Sequence, residues 1–107
     1  MPYIVLVFVE SRIFDRYRSR YLADDEFARL QIALRADPQR GDVIPGSGGI
    51  RKLRWRRQGM GKRGGVRVIY YVHRAHVIWL LTIYAKGEVD SIPAHLLRTI
   101  KREMEDG

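Results

Sequence analysis

Hydrophobic positions divide the chain into short blocks with different periods. Residues 3–9, Tyr-Ile-Val-Leu-Val-Phe-Val, are apolar at every position, the pattern of a strand buried on both faces. They lack a basic leader and a small-residue cleavage site, so they read as a strand rather than a signal peptide. Ser11 stands where a helix cap is needed, and Ile13, Phe14, Tyr17 and Tyr21 then fall on one helical face. Asp24, Asp25 and Glu26 favour the positive end of a second helix. Phe27, Leu30 and Leu34 give that helix its apolar stripe, and Asp37-Pro38 ends it. Two helices joined so closely are expected to form an antiparallel hairpin.

After residue 38 the period changes to two. Residues 39–49 form a Gly/Pro-rich loop that Val43 and Ile44 should pin to the core. Residues 50–57 alternate, with Lys52, Arg54 and Arg56 on one face and Leu53 and Trp55 on the other. Residues 58–65 are a loop of glycine and cations. Residues 66–72 set Val66, Val68 and Tyr70 against Arg67, Ile69 and Tyr71. Arg74-Ala75 makes a turn, and residues 76–85 are apolar on both faces, as in a central strand. Ser91 is placed to cap a last helix with Pro93 in its first turn, buried through Leu96, Leu97, Ile100 and Met104. The order is β-α-α-β-β-β-α. The expected class is α+β, one domain over residues 1–107, with a mainly antiparallel sheet packed against helices.

The charge distribution adds a direction. The 107 residues carry a net charge of +8. No acidic residue lies between Asp42 and Glu88, and that interval holds ten Lys and Arg. The remainder has 10 basic residues against 12 acidic ones, so one segment carries the whole excess. Such a patch attracts polyanions, nucleic acid first, then acidic protein or membrane surfaces. There is no cysteine, which removes disulfides, thiolate metal sites and a cysteine nucleophile, and fits a reducing interior. No apolar run approaches the ~20 residues that span a bilayer.

The candidate chemistry is narrow. His73, His76 and His95 have no metal-motif spacing, and each reads as a turn or helix-surface residue. The glycine loop lacks a Gly-Lys-Ser/Thr ending, so it is no Walker loop. Ser11, Ser19, Ser47 and Ser91 have no His–carboxylate partners in the pattern. A cationic surface with a few tyrosines can still cleave RNA, because the 2′-hydroxyl is an internal nucleophile. Arginine suits stabilisation of the charged phosphorane, and Lys, Tyr or His suits proton transfer. A basic strand face is also an ordinary binding surface, for nucleic acid or an acidic protein. Trp55 and Trp79 read as core. Tyr70 and Tyr71 cannot share a face, which leaves one to stack a base.

Three stretches carry a family resemblance. Gly-Asp-Val-Ile-Pro-Gly-Ser-Gly-Gly-Ile-Arg-Lys-Leu-Arg (41–54), Gly-Lys-Arg-Gly-Gly-Val-Arg-Val-Ile-Tyr-Tyr (61–71) and Leu-Leu-Thr-Ile-Tyr-Ala-Lys-Gly-Glu (80–88) resemble the HigB-type branch of the RelE/ParE toxin superfamily. Phe-Val-Glu-Ser-Arg-Ile-Phe (8–14) fits the same pattern. The resemblance implies a cytoplasmic toxin of a type II toxin–antitoxin pair that cuts mRNA in the ribosomal A site. Cleavage would need neither metal nor cofactor and would leave a 2′,3′-cyclic phosphate. The implied partners are mRNA, the ribosome and a helix-turn-helix antitoxin of the HigA type, with no membrane. Arg67 matches the family's phosphate-stabilising arginine, Lys86 matches a basic active-site position, and Tyr84 lies beside it. Lys62 and Arg63 belong to the loop over the cleft, and Arg51, Lys52 and Arg54 to the strand that meets RNA. The C-terminal tyrosine of some relatives has no counterpart, since residues 88–107 contain none. The alternative within the superfamily is a ParE-like inhibitor of DNA gyrase, which shares the fold without cutting RNA.

Overall fold

The computed structural model describes residues 6–107, apart from the side chains of Lys62 and Arg63. It is α+β, with three helices and a five-stranded mixed sheet. The strands are β1 (Val7–Glu10), β2 (Asp42–Val43), β3 (Arg51–Arg56), β4 (Gly65–Arg74) and β5 (Val77–Ala85). The helices are α1 (Arg12–Tyr21), α2 (Asp24–Ala36) and α3 (Ala94–Asp106). Spatial order is β1-β5-β4-β3-β2, antiparallel throughout except for the parallel β1/β5 pair.

The expected order lacked β2. Asp42 and Val43 pair with Lys52 and Arg51 inside what reads as a loop. A two-residue strand flanked by Gly and Pro has no periodicity to betray it and exists only through its partner. The first strand also differs. Residues 3–5 of the expected strand lie outside the described residues. β1 is an edge strand, and Val7 and Val9 are 49% and 40% exposed, so its apolar run is not buried on both faces.

The helices lie on both faces of the sheet. Phe14, Leu22, Phe27, Leu30 and Leu34 from α1, α2 and their junction pack on Leu53, Val66, Val68, Tyr70, Ile78, Leu80 and Ile83. Leu97, Ile100 and Met104 of α3 pack with Ile50, Ile69, Trp79, Leu81 and Tyr84 on the reverse. This two-sided cover is why β5, with neighbours on both edges, reads as apolar throughout. Tyr70 reaches through the first core to donate to the Pro38 carbonyl at 2.7 Å and accept from the Gly41 N–H at 2.8 Å. A Cβ on Gly41 would lie 2.8 Å from that ring, so glycine is required there for space.

Several local expectations shift. Ile13, Tyr17 and Leu96 are exposed rather than core, and Val43 is exposed while Ile44 packs inward. The turn is Ala75-His76. Pro93, not Ser91, is the N-cap of α3, and no side chain caps it. Proline has no N–H to satisfy and its fixed φ suits entry to a helix, so the start slides two residues.

Ser11 does cap α1, and it does more. Its Oγ accepts from the Phe14 N–H at 2.9 Å and donates to the Leu81 carbonyl at 2.6 Å, while its N–H donates to the Leu80 carbonyl at 2.9 Å. Leu80 and Leu81 stand at a β-bulge: Tyr70 pairs with Leu80 and Ile69 with Thr82, so Leu81 is the extra residue. Ser11→Ala should leave a buried carbonyl and a helix N–H without this partner. We expect a loss of about 2 kcal/mol in urea unfolding. An unchanged midpoint would show that the backbone alone holds the bulge.

Candidate functional site

The bulge determines which residues share the basic face. Without it, strict alternation along β5 would put Tyr84 on the side of Leu80, beneath α1 and α2. One extra residue reverses the phase. Ile83 joins the first core with Leu80, and Tyr84 turns to the α3 side. There Tyr84 pairs with Arg67 on β4, and Arg67 pairs with Arg54 on β3. Arg54, Arg67 and Tyr84 therefore form one row across three strands, about 10 Å from end to end.

Lys86 is joined to this row through Gly65. Its N–H donates to the Gly65 carbonyl at 2.9 Å. A Cβ on Gly65 would lie 3.6 Å from Arg67 Nη1, 3.6 Å from Lys86 Cδ and 3.5 Å from Lys86 Cβ. The two cationic side chains thus flank a bare Cα, where a ligand can approach closely. Arg67 and Lys86 have no carboxylate partner among the described residues, whereas Arg54 meets Asp42 at 3.2 Å on the surface. Two guanidinium groups directly opposite on one face repel. An anion such as phosphate, bound by their planar forks, would reverse the sign of that interaction.

Tyr84 is 7% exposed. Burial pushes its phenol up, and the charges of Arg67 and Arg54 pull it down without overcoming the burial. The phenol therefore stays protonated at neutral pH. It can donate a hydrogen bond or a proton to an anionic ligand, and it is not a ready phenolate base.

The other expected site residues divide. Lys52 pairs with Ile69 and lies on the same face as Arg54. Arg51 points to the opposite side, where its guanidinium donates to the Gln39 and Gly41 carbonyls at 3.1 and 2.7 Å. The side chains of Lys62 and Arg63 lie outside the described residues, and their backbone forms a 3-10 turn, Gly61–Gly64. Tyr71 is not left over for stacking. It packs on the α3 side with its ring 5.9 Å from Trp79 and the Lys101 ammonium 3.9 Å above it. His73 lies in β4 rather than a turn, stacked on Trp79 at 3.9 Å. Among the described residues, no three His, Asp or Glu converge as a metal site requires.

No protein-family model matches the chain.

Sequence reading missed what anchors the glycine loop. Glu26, a first-turn carboxylate by sequence, is 5% exposed. Its Oε1 accepts from the Gln58 N–H at 3.0 Å and from Trp55 Nε1 at 3.4 Å, and its Oε2 accepts from Arg29 Nε at 2.8 Å. Arg57 ties the other side of the loop, donating to the Gly64 carbonyl at 3.0 Å and the Tyr21 carbonyl at 3.2 Å. No periodicity could pair Glu26 with Gln58. The nearest signal is a third carboxylate beyond what a helix start needs.

Burial alone would raise the Glu26 carboxyl, but the bonds from Arg29 and the Gln58 N–H, the Arg29 charge and Trp55 together lower it. A group lowered in the folded state stabilises fully above its ordinary value near 4.5 and loses that contribution as pH falls through the folded value. Glu26→Gln should therefore be less stable than wild type by about 2 kcal/mol at neutral pH. The gap should narrow in acid. Urea unfolding at about pH 7 and about pH 3 measures it, and a gap constant with pH would contradict the assignment.

Proposed function

We propose that the chain is the toxin of a type II toxin–antitoxin pair, a ribosome-dependent mRNA endonuclease of the HigB/RelE kind. The observation that carries this reading is the Arg54–Arg67–Tyr84 row with Lys86 held beside it at Gly65. The three motif stretches and the α+β class support it as well.

The RNA 2′-hydroxyl gives its proton to water and attacks the neighbouring phosphorus, the bond to the 5′-oxygen breaks, a 2′,3′-cyclic phosphate forms, and the 5′-oxygen leaves as a hydroxyl with a proton from Tyr84 that solvent then restores. Arg67, aided by Arg54, holds the non-bridging oxygens as negative charge grows on them. Tyr84, kept protonated by burial, donates toward the phosphate or the departing oxygen. Lys86 adds charge at the same point. Lys52, Lys62 and Arg63 guide the strand through its phosphates. Arg51, spent on two loop carbonyls, contributes shape more than contact. Sequence preference then belongs to the ribosome and the codon it presents, and DNA is excluded for want of the 2′-hydroxyl. The antitoxin of this reading is a HigA-type helix-turn-helix protein in the cytoplasm.

Primer extension on a defined mRNA, with and without ribosomes, tests this. Wild type should cut within codons only when ribosomes are present. Arg67→Ala should cut at least about 100-fold less with its melting temperature preserved. Gly65→Leu should also fold, and lose cutting by filling the space between Arg67 and Lys86. Full cutting by Arg67→Ala would remove Arg67 from the site. No cutting by wild type, together with inhibition of gyrase supercoiling, would replace the reading with the ParE-like one.

A further inference from the structure

A second surface lies away from the basic row. A cleft of about 650 Å³ opens between β1, the start of α1 and the last turns of α3. Its floor is apolar: Val9 and Ile13 are 40% and 38% exposed, and Ile100 and Met104 are half-buried. Glu10, Glu103 and Asp106 also line it, with Arg12 the one cation among the lining residues.

Two observations give the cleft a charge preference. Neither Glu103 nor Asp106 has an ion-pair partner among the described residues, in a chain with 20 Lys and Arg. The last turn of α3 holds no basic residue, so Glu103 and Asp106 face the negative end of the helix dipole uncompensated. An incoming cation would relieve each of these strains, and an apolar side chain would cover the floor.

We propose that this cleft receives a segment of a partner protein that is apolar on one side and carries Lys or Arg on the other. Its size suits a few anchoring side chains. The location leaves the basic row open. β1 pairs with the first half of β5, from Val77 to Leu80, whereas Tyr84 and Lys86 are at the far end. α3 begins at Ala94, soon after Lys86, and runs about 20 Å to the cleft. A partner seated there would bind alongside RNA rather than in its place. This proposal stands apart from the nuclease reading, since it uses no residue of the row.

The test is fluorescence anisotropy with a labelled amphipathic Leu/Lys peptide of about twelve residues. Wild type should bind it saturably. The double variant Glu103→Lys/Asp106→Lys, and separately Ile13→Ser, should each weaken binding by about 10-fold or more with melting temperature retained. Arg67→Ala should leave binding unchanged. Equal affinity in the double variant, absence of saturable binding, or loss of binding in Arg67→Ala would overturn the proposal. So would a dimer in size-exclusion chromatography that the double variant dissolves, because the occupant would then be a second copy.

Discussion

Ser11 makes three hydrogen bonds that bind together parts of the chain seventy residues apart. One caps α1 and two satisfy carbonyls at the bulge in β5. A bulge is tolerated only when the polar groups it frees find partners, because a buried carbonyl left alone costs about as much as a lost hydrogen bond. The extra residue fixes the phase of β5 beyond Leu81. Tyr84 reaches the face of Arg67 for that reason alone. A helix cap therefore determines which residues share the basic face three positions further along β5.

Much of this was legible from residue order. α2 begins at the three carboxylates and ends at Asp37-Pro38, because a helix dipole and a following proline act locally. The faces of β3 and β4 follow from alternation, which is also local. Arg67 is also visible in the sequence as a cation within an otherwise apolar strand, costly to bury without a partner. What was not legible depends on pairing between distant segments. β2 exists only beside β3, the bulge only beside β4, and the Glu26–Gln58 bond only after α2 has docked on the sheet. The exposure of β1 is of the same kind. Its sequence states that both faces are apolar, and only the sheet order shows that nothing pairs with its outer edge among the described residues.

The two-sided core explains why Tyr70 and Tyr71 both lose their freedom. A sheet with one wet face would have left one ring in solvent, as alternation suggests. With α1 and α2 on one side and α3 on the other, Tyr70 holds the Pro38–Gly41 loop while Tyr71 sits under Lys101. The Gly/Pro-rich loop that precedes β3 is held in the same way. Lys101 and Arg98 donate to the Gly48 and Gly46 carbonyls, so the helix is fastened to the loop as well as to the sheet.

The basic segment, uniform by sequence, is divided by the fold into two kinds of cation. Arg51 and Arg57 donate to backbone carbonyls and hold loops, and Arg54 meets Asp42. These contacts are structural, although the exposed Arg54–Asp42 pair contributes little, about 0–1 kcal/mol. Arg67 and Lys86 are different. Each sits in or beside the best-paired strands of the sheet, next to another cation, with no carboxylate partner among the described residues. Stability alone would favour a neutral residue in such positions, since like charges side by side on a sheet repel. Their presence has a physical explanation once an anion is added, and the bare Cα of Gly65 between them is where that anion can approach.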